Sequence, residues 1–144
     1  MTNETLLDRA VSNFKYAVKN YKFLSGDEVE LNFIGYSLQQ ASELCIKHHM
    51  EINGIRYAHT HAIEDLLDEC ELQNVPIVFS QEFYCFSPAI TKWESKTRYI
   101  KNYVLTRRQI ETGFKLIKEF LIDNGVCSEA LELSKTLTDR MDCF

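Results

Sequence analysis

The sequence predicts an all-α protein, an antiparallel bundle of five or six helices. Apolar residues recur at three- and four-residue steps through several separate stretches, the period of a helix with one buried side. Short turn signals divide these stretches, among them Ser25-Gly26-Asp27, Asn53-Gly54 and Asn124-Gly125. Two Pro and five Gly in 144 residues leave little room for linkers, and no low-complexity tract or repeat is present. The length suits one domain, residues 1–144, with enough chain to bury a real core.

The first helix is predicted over about Asn3 to Phe23, where Leu7, Ala10, Val11, Phe14, Ala17, Val18 and Tyr21 form the stripe. The second begins near Glu28 and ends close to Asn53-Gly54, a plausible left-handed cap pair. The short connection makes these two an antiparallel pair. Thr60 is placed as N-cap of a third helix with Ile63, Leu66, Leu67 and Cys70 inward and acids in its early turns. Asn74-Val75-Pro76 ends it. The stretch Pro76 to Phe86, PIVFSQEFYCF, lacks clean alternation and reads as a loop packing across the bundle, or as a surface for a partner. Ser87-Pro88 reads as N-cap and first-turn proline of a fourth helix with Ile90 and Trp93 inward. Thr106 and Gln109 fit a capping box opening a fifth helix, whose buried residues are Ile110, Phe114, Ile117 and Leu121. Ser128 opens a last, shorter helix over about 128–142 with Leu131, Leu137 and Met141 inward.

Apolar residues at 45% and charged residues at 26% are ordinary for a folded domain. No apolar run approaches the roughly 20 residues of a membrane span. The N-terminal stretch has no signal-type apolar segment, so a cytoplasmic location is expected. The five cysteines include no CxxC, and Cys45 and Cys70 fall on apolar stripes as small hydrophobes. Charge is uneven: the segment from Lys92 to Lys118 carries +6 and the remainder −11. Solvated helix faces explain such a cluster, and so does a surface that attracts phosphate.

The second helix is the most informative stretch. Ile34, Leu38, Ala41, Leu44, Cys45 and His48 make its apolar stripe, and Gln39, Gln40, Glu43 and Lys47 its polar flank. Glu43 and Lys47 stand in the favourable order for a surface ion pair. The histidines come in two pairs, His48-His49 and His59-His61. Adjacent helical residues diverge by about 100°, so His48 and His49 cannot share an ion, and no metal site is expected.

The run SLQQASELCIKHHM resembles the second-helix signature of HEPN domains, a Gln-Gln pair followed by small-small-Glu-Leu and then Lys. THAIEDLL is similar to the start of that family's third helix, and Arg98-Tyr99 to the Arg-Tyr before its last core helix. The final match is QIETGFKLIKEFL, and the resemblance runs in order over a core of about 5–123. It implies an antiparallel bundle that dimerises and is associated with nucleotides or RNA, acting with a separately encoded partner such as a minimal nucleotidyltransferase, in toxin–antitoxin or defence systems. A ribonuclease branch of the family is metal-independent and uses Arg, four to six residues, then His. Imidazole titrates near neutrality and guanidinium binds phosphate in bidentate fashion, which suits RNA cleavage. Here no His follows Arg98, and the spacing is met instead by Arg56 and His61, in the loop before the third helix. Ile100 also stands where many relatives have Pro.

The expected function is a HEPN-type nucleotide- or RNA-associated binding module, homodimeric, with Gln40, Glu43, Lys47, Arg98 and Tyr103 around a phosphate and no cofactor. Glu43 with Arg98 would form one pair of that groove, and Tyr99 and Tyr103 add stacking surface. The alternatives are a ribonuclease toxin using Arg56 and His61, and a structural dimer that docks a protein through Pro76 to Phe86.

Overall fold

The computed structural model of the protein describes residues 3–26, 29–56, 60–99 and 104–133, and the side chains of all of these except 95–99. The elements are α1 (Leu6–Lys22), α2 (Glu30–Ile52), α3 (Ile63–Leu72), α4 (Gln81–Tyr99), α5 (Arg107–Asp123) and a 3₁₀ turn at Ser128–Leu131. No strand occurs among the described residues, as the helical periodicities require.

Helix α2 is the axis of the bundle, packed by α1, α3, α4 and α5 alike. Ser25, after α1, hydrogen-bonds Glu30 at the start of α2, and Asp8 at the start of α1 acts on His48 near the end of α2. The pair is antiparallel. Fourteen of the 23 residues of α2 are buried, so it is covered nearly all round rather than along one stripe. Gly35 and Gly113 let neighbours approach closely. A Cβ at Gly113 would lie 2.7 Å from the Trp93 ring, which has no room to retreat, and one at Gly35 would collide with Leu105. Phe83 of α4 stacks on Phe120 of α5 with ring centroids 4.1 Å apart, and burial of each contributes about 2–3 kcal/mol.

Most of the local signals correspond to what is seen. Thr106 accepts the Gln109 N–H while Gln109 accepts the Thr106 N–H, a complete capping box. An unanticipated second box, Thr5 with Asp8, opens α1 three residues later than expected. Gly54 and Gly125 take the left-handed conformation after α2 and α5. Ile63, Leu66, Leu67 and Cys70 are buried, as are Ile90, Trp93, Ile110, Ile117 and Leu121, while Phe114 is half-buried against Phe14 and Tyr21.

Four expectations need correction. Helix α3 starts at Ile63 rather than beside Thr60: Thr60 Oγ1 accepts the Ala62 N–H in the preceding turn. The Ile63 N–H goes to Thr91 Oγ1 on α4 at 2.9 Å, so this cap is non-local. Helix α4 starts at Gln81, with Ser80 Oγ accepting the Phe83 N–H, so half of Pro76 to Phe86 is helical and not a loop. Phe83 is buried in the core and Phe86 packs edge-on to Trp93, while Pro76, Val78, Ser80, Gln81, Glu82 and Cys85 are exposed. Ser87-Pro88 therefore lies inside α4. Pro88 cannot donate to the Tyr84 carbonyl one turn back, and the buried Ser87 hydroxyl donates to it instead at 2.6 Å. Finally, the chain after α5 forms a 3₁₀ turn with Leu131 buried; Leu137 and Met141 lie outside the described residues.

Asn124 closes one end of the bundle. Its Nδ2 donates to the Val78 and Phe120 carbonyls at 2.6 and 2.8 Å, and its Oδ1 accepts the Val78 N–H at 2.8 Å. His49 donates from Nε2 to the Asn124 carbonyl at 3.0 Å. Asn124→Ala leaves the Val78 N–H and the Val78 and Phe120 carbonyls without these bonds and is expected to cost about 1–3 kcal/mol in urea unfolding. Burial pushes the Cys45 thiol up to about 12 and the Cys70 thiol up to about 11. Both are buried, whereas Cys85 and Cys127 are exposed. A thiol reagent is therefore expected to label Cys85 and Cys127 in the native protein, and Cys45 and Cys70 only after denaturant is added.

Candidate polar site on the central helix

Residues 39, 43 and 47 recur at four-residue steps and so share one flank of α2. The flank is not solvated. Gln39, Glu43 and Lys47 keep 0%, 4% and 9% of their surface, against the surface ion pair and free amides that the sequence suggests. The cause is tertiary: the turn carrying His61 and the middle of α4 close over this side of α2.

The buried groups satisfy one another. Lys47 Nζ lies 3.4 Å from Glu43 Oε2. Gln39 Nε2 donates to Glu43 Oε1 at 3.1 Å and to the His61 carbonyl at 3.4 Å. Gln40 Nε2 donates to Gln39 Oε1 at 2.8 Å, which fixes the Gln39 amide orientation. His61 Nδ1 stands 2.8 Å from Glu43 Oε1. A carboxylate accepts, so Nδ1 carries a proton and donates it to Glu43. No buried side-chain nitrogen or oxygen among the described residues lacks a partner.

Glu94 of α4 completes the constellation: one ligating atom each from Glu43, His61 and Glu94 lies within 4.8 Å of the others. The His61 side chain is 59% exposed, so the site is a buried carboxylate reached from solvent past one imidazole. Glu94 escaped the sequence reading, although it is one of just two acids in the basic stretch from Lys92 to Lys118. That isolation was the available signal.

Of the residues expected around a phosphate, Gln40, Glu43 and Lys47 come together here. The Arg98 side chain and Tyr103 lie outside the described residues, and so does the pair of Glu43 with Arg98. Arg56 is exposed on the segment after α2, and among the described residues no hydrogen bond or ion pair joins it to His61. His48 and His49 sit edge to face, and burial together with His49 holds the His48 imidazole below its ordinary range. A separate groove of about 570 Å³ between α1, α5 and the 3₁₀ turn shares no residue with the polar cluster.

A five-helix bundle whose central helix buries a Gln–Glu–Lys line beneath the start of α3 defines a class of helical domain. The pattern of the HEPN domain matches residues 3–123, most of the 144-residue chain, and the chain belongs to that family. No curated protein and no solved structure gives a match. Membership carries the general assignment of a nucleotide- or RNA-associated module in a family that often dimerises. No helix among the described residues is long and apolar enough to cross a membrane.

The burial pattern separates two substitutions of this cluster. Glu43→Ala removes the buried carboxylate that Gln39, Lys47 and His61 share and is expected to cost on the order of 3 kcal/mol. His61→Ala removes a mostly exposed ring and is expected to cost less than about 1 kcal/mol. Guanidinium unfolding of the two variants measures the contrast.

Proposed function

We propose that this protein is a nucleotide- or RNA-associated binding module of HEPN type, homodimeric and cytoplasmic, acting with a separately encoded partner such as a minimal nucleotidyltransferase. The observation that supports it most is the buried polar line on α2. Burying a carboxylate and an ammonium beneath the chain costs several kcal/mol per ion before pairing, and apolar residues of similar volume would pack there as stably. Charged groups kept in such a position, open at one edge, are the pattern of a functional site. Lys92, Arg107, Arg108, Lys115 and Lys118 are exposed on α4 and α5, a positive surface for a polyanion. In this reading Lys47 faces a phosphate, with Gln40 and Glu43 orienting it and Arg98 and Tyr103 adding a guanidinium and a ring.

A second reading, a metal-independent ribonuclease toxin using Arg56 and His61, is favoured by the His61–Glu43 pair. A carboxylate that fixes the tautomer and angle of an exposed imidazole is what a general acid/base requires. One pair of assays separates the two. Titration of nucleoside mono- and triphosphates and of a short RNA in EDTA is expected to show saturable binding, weakened at least about tenfold by Lys47→Ala or Arg98→Ala. No binding by wild type overturns the binding module. RNA cleavage in EDTA that disappears in His61→Ala would establish the ribonuclease instead.

A further inference from the structure

We infer that Glu43, His61 and Glu94 form a site for one divalent transition-metal ion, with zinc as the best fit. Three ligating side chains arrive from three elements: α2, the turn before α3, and α4. Their atoms lie within 4.8 Å of one another, while ligands on a tetrahedral zinc stand about 3.3 Å apart given its ~2 Å bonds. The movement needed is small, and His61, the most exposed member, is free to make it. Three nitrogen and oxygen ligands without a thiolate leave a fourth position for water or an anion, as catalytic zinc sites do. Magnesium is disfavoured, because it takes oxygen ligands and near-ideal octahedral geometry.

The surroundings are already arranged as an outer shell. Gln39 holds both Glu43 Oε1 and the His61 carbonyl, Gln40 holds Gln39, and Lys47 holds Glu43 Oε2. Such contacts fix ligand orientation. The ion takes the place of the proton between Glu43 Oε1 and His61 Nδ1, now 2.8 Å apart. Nδ1 then ligates the ion, and the proton of the bound imidazole sits on Nε2. A divalent ion adds two positive charges beside the Lys47 ammonium. A phosphate would then meet a cation on both sides. Occupancy also removes His61 Nδ1 from any part in proton transfer.

The test uses the full chain, stripped with EDTA and titrated with Co²⁺, read by visible absorption and then displaced by Zn²⁺. Wild type is expected to take up one equivalent, with the ligand-field bands of a nitrogen- and oxygen-ligated ion and no thiolate charge-transfer band. His61→Ala and Glu94→Gln are each expected to weaken binding at least about tenfold, the loss that even outer-shell changes produce. Circular dichroism confirms that each variant is folded, and if one is not, the other decides. Absence of saturable binding, a thiolate band, or wild-type affinity in either folded variant overturns the site. No nucleotide is present, and the nucleotide titration contains EDTA, so the two proposals fail separately.

Discussion

Helix α2 is enclosed by the other four helices, and that enclosure sets the conditions for everything else. An amphipathic helix at a surface can turn its polar side to water, but a central helix cannot. Asn32, Gln39, Ser42, Glu43 and Lys47 are all inside, so each needs a partner within the protein. Asn32 finds one in the Leu105 N–H at 2.9 Å, which anchors the chain entering α5. Ser42 returns its hydroxyl to the Leu38 carbonyl at 3.2 Å. Gln39, Glu43 and Lys47 bond to one another and to His61. The resulting network places the start of α3 against α2 by polar contacts rather than by apolar packing alone.

Similar long-range hydrogen bonds hold the ends of the bundle. Asn124 ties the end of α5 to the loop before α4, and His49 at the end of α2 meets the same residue. Thr91 on α4 receives the first free N–H of α3 and lies 2.7 Å from a Glu64 oxygen. The Ser87 hydroxyl replaces the donor that Pro88 lacks. In each case a short polar side chain supplies what a neighbouring backbone group cannot obtain within its own helix.

The site inherits its selectivity from this packing. Its acidic centre is covered, and the imidazole of His61 is its exposed member. In the proposed reading, the group that enters past it is an ion or the end of a phosphate. Trp93 is buried, so it offers no platform for a base. The exposed cations of α4 and α5 act at longer range and suit the backbone of a polyanion.

The helical periods, the Thr106 capping box and the glycines after α2 and α5 were legible in the sequence, because each depends on residues within a few positions. So was the family, whose signature lies mostly in α2 itself. The start of α3 was not, since its cap is Thr91, 28 residues away. The start of α4 was misread because Ser-Pro has the same local appearance at a helix start and inside a helix; only the Tyr84 carbonyl distinguishes them. For the site, the sequence supplied Gln40, Glu43, Lys47 and His61 as separate candidates. Tertiary structure alone decided that Glu43 is buried, that His61 reaches it and that Glu94 stands beside both. Periodicity reports which residues share a side of a helix, but not whether that side meets water or another helix, and the chemistry of a carboxylate depends on which it meets.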